Sequence, residues 1–331
     1  MKIDCHAHIM PEDWPNLQKK YGYGGFIYLN HDRERKTARM MRDDGKFFRE
    51  VSENCWDPKA IIKDMDKHRV DMMVLSTIPV LFNYWAQGVD THDWSVFLND
   101  HIANLQNTHP NRFIGLGTLP MQDVKLAIKE LERCKNIGLP GVQIGTNILN
   151  MNLDDPILFP FYEAAEKMSM SLFIHPWQMM GEDVIEKFWL PWLVGMPAET
   201  SRAICSMIFG GVFDKFPGLR VMFAHAGGSF PFTIGRISHG WEVRPDLVNL
   251  NEVRKPADYI GKFWVDGITH DDKAFGYLLD MFGSEKICYG TDYPFPLGDL
   301  GHGKFIEDMQ NVSQKQKDQI FSESVLKFLG R

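Results

Sequence analysis

The sequence predicts a (β/α)8 TIM barrel. Eight short apolar, β-branched runs recur along 331 residues, and most are followed by a segment of helical periodicity. No GxGxxG opens a helix after the first run, which disfavours the nucleotide-binding form of the alternative, an open doubly wound sheet. Residues 1–331 read as a single barrel domain, with a short-strand insertion at 11–54 over the active site.

The strand candidates are Lys2 to His6, Asp71 to Thr77, Phe113 to Leu119, Gly141 to Ile144, Ser171 to His175, Arg220 to His225, Phe263 to Asp266 and Lys286 to Thr291. Val124, Ala127, Ile128 and Leu131 follow the i, i+3, i+4, i+7 spacing of a helix with one buried face. Asp57 and Pro58 offer the N-cap and first turn of another. Further helices are expected at Leu98 to Leu105, Phe159 to Lys167, Thr200 to Phe213, Asp272 to Met281 and Lys315 to Leu329. The long gap between the first two runs (YGYGGFIYLN, a charged stretch from His31, then FFREV) reads as inserted short strands. Loops after barrel strands lie over the active site, so this insertion is a candidate lid or substrate wall.

Composition narrows the function classes. Hydrophobic content of 44% and charged content of 24% are those of a soluble globular protein, and no apolar stretch reaches the roughly 20 residues of a membrane span. Five scattered cysteines without a CxxC pair read as reduced thiols, and the start lacks a secretory pattern, so the cytoplasm is expected. A net charge of -7 without a basic run leaves no footprint for nucleic acid.

Chemistry gathers at the strand ends. In CHAH, His6 and His8 are i and i+2 on a strand, so both imidazoles point to one face about 7 Å apart, within reach of one ion. Cys5 and Ala7 are then expected to face outward. His175 closes SLFIH as a candidate third nitrogen ligand, and Asp292 follows the last strand in GTDYP as a candidate oxygen ligand. His225 closes VMFAH and admits two roles, a further ligand or a general base. HAGGS beyond it offers flexible backbone and candidate oxyanion donors. The other histidines (His31, His68, His92, His101, His109, His239, His270 and His302) read as structural or solvated, with His239 the least secure.

This pattern resembles the amidohydrolase superfamily, whose members carry HxH on strand one, histidines on strands five and six, and aspartate on strand eight. GVQIG on strand four lacks the lysine of binuclear members, which implies a single divalent ion. Zinc suits the donors best, with manganese, cobalt or iron open. The stretches IDCHAHIMPEDWP, FFREVSENCWDP, FIHPW, WLPWLVGMPAET, FAHAGGSFPFTIGRISHG and GTDYPFPLG resemble the α-amino-β-carboxymuconate ε-semialdehyde decarboxylase family. That resemblance implies zinc on His6, His8, His175 and Asp292, His225 as acid/base, and no organic cofactor. It also implies a dicarboxylate substrate gripped by Arg49 and Arg236, the latter reaching a neighbouring subunit in a homodimer, with Trp192 lining the pocket. Guanidinium forks suit paired carboxylates.

The expected reaction is non-oxidative decarboxylation of the semialdehyde in tryptophan (kynurenine) or 2-nitrobenzoate catabolism, through a metal-activated hydroxide or direct metal contact with the leaving carboxylate. A hydrolase or deaminase using the same hydroxide, and a decarboxylase of a related aromatic acid, are the alternatives. A non-catalytic metal-stabilised binding protein is disfavoured by the open coordination position.

Overall fold

A computed structural model describes residues Met1–Arg331. Eight parallel strands follow one another in chain order: β1 (Ile3–Ile9), β5 (Met72–Thr77), β6 (Phe113–Thr118), β7 (Gly141–Gly145), β8 (Ser171–His175), β9 (Val221–Phe223), β10 (Trp264–Asp266) and β11 (Ile287–Cys288). Backbone bonds join the last strand to the first: Cys5 N–H donates to Tyr289 O (2.8 Å), His8 N–H to Tyr293 O (2.7 Å) and Asp292 N–H to His6 O (2.8 Å). Sequential order plus closure makes this a barrel rather than a doubly wound sheet.

Helices start where their caps dictate. The Asp57 side chain accepts from Lys59 N–H before the helix Pro58–Lys67, and the Asp123 side chain accepts from Leu126 N–H before Val124–Asn136. The helix expected from Leu98 to Leu105 runs Gly88–Thr108, and the one expected from Thr200 runs Met196–Phe209. Val325, Phe328 and Leu329 of the C-terminal helix plug the bottom of the barrel against Ile3, Phe173, Met222 and Cys288.

Two strands depart from simple alternation. In β1 the register with β5 shifts between Asp4 and Ala7, so a bulge inserts one residue. Ala7 packs outward, but Cys5 packs inward with Val74, Met222 and Cys288, correcting the expectation that both face the helices. The last run, expected to extend to Thr291, is regular strand only at Ile287–Cys288 and meets β1 beyond that through single bonds. Beyond it, Tyr289 N–H donates to Ile320 O (2.9 Å), in the π-turn Gln319–Glu323, instead of to the sheet.

Between β1 and β5 lies an antiparallel sheet, β2 (Ile27–Asp32), β3 (Thr37–Arg42) and β4 (Phe47–Ser52). Its inner face, with Ala38, Met40 and Val51, packs on Ile78, Leu81, Trp94 and Phe295 of the barrel. A second bulge, between Met40 and Met41 of β3, falls opposite Phe48 and Arg49 on β4. Both side chains border the cavity at the barrel mouth.

Candidate active site

His6, His8, His175, His225 and Asp292, from distant parts of the chain, converge at the C-terminal rim. His6 Nε2 and His8 Nε2 lie 3.2 Å apart, and Asp292 Oδ1 is 3.4 Å and 3.1 Å from them. Donor atoms of His6, His175, His225 and Asp292 all lie within 4.8 Å of one another.

Hydrogen bonds behind three imidazoles set their tautomers. His6 Nδ1 donates to Asp266 Oδ2 (2.7 Å), His8 Nδ1 to Thr77 O (3.2 Å) and His175 Nδ1 to Pro176 O (3.0 Å). Each proton on Nδ1 leaves a lone pair on Nε2, and His175 Nε2 is buried without a partner. Three lone pairs and a carboxylate thus face one small volume with no donor among them. Such a set repels itself unless a cation joins it, so these residues fit a divalent metal. Burial and the neighbouring imidazoles hold the His175 pKa well below its ordinary value, and burial lowers that of His8 against the pull of Asp292. Burial alone would raise Asp292; the imidazoles of His225, His6 and His8 outweigh it and hold the carboxyl well below its usual range.

His225 is tied differently. Its Nε2 stands 3.6 Å from Asp292 Oδ2, beyond hydrogen-bond range, and its Nδ1 is buried without a partner. Burial opposes its protonation, but Asp292 and Asp266 prevail and raise its pKa. It is the one imidazole of the four whose tautomer no hydrogen bond within the chain fixes. The glycine-rich turn after it supplies no oxyanion hole: His225 N–H and Ala226 N–H both donate to Asp266 (2.8 Å each), and Gly228 N–H donates to His225 O (2.7 Å).

Asp266 is the residue that the sequence reading missed. It is fully buried, and its pKa is lowered because the bond to His6 and the nearby imidazoles outweigh desolvation. The available signal was its place at a strand end in FWVD, like the histidines.

Above this floor stands an aromatic wall. The Arg49 guanidinium lies 4.6 Å from the Phe295 ring centroid and 5.8 Å from those of Phe48 and Trp192. It makes no side-chain hydrogen bond and no ion pair, and desolvation lowers its pKa against the pull of Asp292. A cavity of about 40 Å³ joins Arg49 and Trp192 to His8, His175 and Asp292. On the far side of Trp192 a space of about 340 Å³ reaches His225, Asp292 and His270, so His270, expected to be solvated or structural, borders the cleft. Arg236 lies apart, exposed on the helix Phe230–Val243 without a hydrogen-bond or ion-pair partner. His239 on that helix is also exposed, 3.9 Å from Glu242.

A closed barrel whose rim gathers imidazoles and a carboxylate around a cation-sized space defines the class of metal-binding (β/α)8 proteins. The amidohydrolase family model matches residues 3–331. The chain is 54% identical over 331 residues to 2-amino-3-carboxymuconate-6-semialdehyde decarboxylase of Dictyostelium discoideum, covering 100% of this chain and 92% of that protein. Against the Caenorhabditis elegans protein of the same name, identity is 37% over 378 residues, covering 99% and 94%. The structure of Metarhizium anisopliae IDCase in apo form superposes with a TM-score of 0.84 at 23% identity, covering 100% of this chain and 97% of that one. The chain belongs to the amidohydrolase family, in the branch that includes proteins named 2-amino-3-carboxymuconate-6-semialdehyde decarboxylase. No helix is long and apolar enough to cross a membrane, and all five cysteines are free.

Proposed function

We propose that this chain is a metal-dependent decarboxylase of 2-amino-3-carboxymuconate 6-semialdehyde, releasing carbon dioxide and 2-aminomuconate 6-semialdehyde. The substrate is taken from the named relatives. One observation supports a carboxylate substrate over a neutral amide: Arg49, a desolvated cation without a counter-ion, opens onto the same cavity as the histidine and aspartate donors. A guanidinium there is satisfied by a carboxylate accepting two parallel hydrogen bonds.

His6, His8, His175 and Asp292 would hold the ion, and zinc suits three imidazoles and one carboxylate. A bound divalent cation supplies Lewis acidity and lowers the pKa of a coordinated water to about 7. Arg49 anchors one carboxylate, while Phe48, Trp192 and Phe295 exclude water around it. His225 Nε2 holds the proton that the reaction needs: the bond from carbon to the departing carboxyl breaks, and its electron pair takes that proton as a new C–H bond. Arg236 completes the dicarboxylate grip in the active site of a partner copy, making a cytoplasmic homodimer the working unit. Its exposure and lack of a partner within the chain support this reading.

Freshly prepared semialdehyde should lose its near-ultraviolet absorbance with release of carbon dioxide, without oxygen or an organic cofactor; unchanged absorbance with metal-loaded protein would overturn the proposal. Chains carrying Arg49→Ala mixed with chains carrying Arg236→Ala should recover activity through sites holding both arginines. No recovery from dimers of the mixture would remove Arg236 from the site.

A further inference from the structure

Asp266, at the end of β10, receives four hydrogen bonds on one carboxylate. Oδ2 accepts from His6 Nδ1 (2.7 Å) and His225 N–H (2.8 Å), and Oδ1 from Ala226 N–H (2.8 Å) and Ile268 N–H (3.1 Å). Each partner bears on the site. His6 is a metal-facing imidazole, whereas His225 and Ala226 form a turn in which both residues have positive φ (55° and 56°). Non-glycine residues hold that conformation only where the surroundings over-determine it. The buried carboxylate does so here, since both backbone N–H groups point into it.

We propose that Asp266 is a positioning residue serving two groups at once: it fixes His6 in the tautomer that leaves Nε2 free for the metal, and it clamps the left-handed turn that presents His225. The metal role of His6 and the acid/base role of His225 rest on the function proposed above. One carboxylate thereby links metal loading to the orientation of the proton donor.

Asp266→Asn tests this with little change of shape. An amide has one acceptor oxygen where the carboxylate has two. With its oxygen left on Ala226 and Ile268, its NH₂ group faces two donors, His6 Nδ1–H and His225 N–H. His6 can answer only by moving its proton to Nε2, which then points into the donor cluster and opposes the metal. The flipped amide instead sets its NH₂ group against Ala226 and Ile268 N–H, releasing the turn.

The variant should bind zinc or manganese 10- to 100-fold more weakly in chelator competition, the usual effect of removing such a partner. At saturating metal its kcat should fall at least about tenfold with KM little changed, because the Arg49 wall is untouched. Wild-type metal affinity and kcat in Asp266→Asn would overturn the proposal, as would a variant whose only defect is a lower melting temperature. A second measurement does not depend on the variant folding. In metal-free wild-type protein with ¹⁵N-histidine, the resonances absent from His6→Gln should show protonation at Nδ1, and protonation at Nε2 would overturn the clamp. A wild-type chain that binds no divalent ion would instead defeat the metal reading, while the tautomer would still decide the role of Asp266.

Discussion

The floor and the wall of the cleft meet at one cavity but are held in opposite ways. On the floor, His6 and His8 sit in the second half of β1 and His175 at the end of its strand, and an acceptor behind each Nδ1 holds the ring. On the wall, Arg49 is held only by ring contacts of 4.6 to 5.8 Å, on a bulged edge strand of the inserted sheet. Donors for a small ion must be placed to a fraction of an ångström before the ion arrives, which is what the hydrogen bonds behind the imidazoles provide. A cation awaiting an anion must keep its donors free, and aromatic faces hold it without consuming them. On the proposed function, the floor would account for generic metal chemistry, and the wall for the kind of substrate.

Removing the floor's ion should have the largest effect. Chelation is expected to reduce turnover by about 10³-fold or more, a loss of several kcal/mol of stabilisation. Re-addition of one divalent ion per chain should restore it; undiminished activity in metal-free protein would erase the distinction between floor and wall. His225→Ala should come next, lowering kcat by about 10² to 10⁴ while metal content stays at wild-type level. Loss of metal in that variant would make His225 a ligand.

The wall should respond differently. Arg49→Ala is expected to lower kcat/KM by about 10- to 200-fold, the range of charge-assisted hydrogen bonds, mostly through KM and with the metal retained. Arg49→Lys should recover little, since a point charge does not replace the fork. Equal falls in kcat and kcat/KM at constant KM would move Arg49 from anchoring to the chemical step.

The smallest effect concerns a group outside both regions. Burial lowers the pKa of His101 to about 4, and its Nε2 has no partner. Between that value and the unfolded value near 6.5 the unfolded chain binds the extra proton, so stability falls as pH drops through this window. One group accounts for at most about 1.4 kcal/mol per pH unit. Thermal melts from pH 7 to pH 4 should show a shallower decline in His101→Gln, with metal binding at pH 7 unchanged.

Legibility followed the same division. His6, His8, His175, His225 and Asp292 lie in or just beyond the C-terminal parts of short apolar runs, so their residue type and placement make them candidates. Cys5 was misassigned because a bulge, set by the register with β5, breaks the period of two. Asp266 sits in an equally visible place but does its work through His6, 260 positions away, a contact that no local pattern encodes.

By itself the sequence determined the alternation of strands and helices, the inserted segment and the residue types at the rim, because these follow from local periodicity and covalent order. Tertiary structure alone decided which nitrogen of each imidazole faces inward, that the backbone donors of the HAGGS turn are already engaged, and that Arg49 is left without a partner. These properties depend on what stands opposite each group across the barrel, and closure of the sheet creates that opposition.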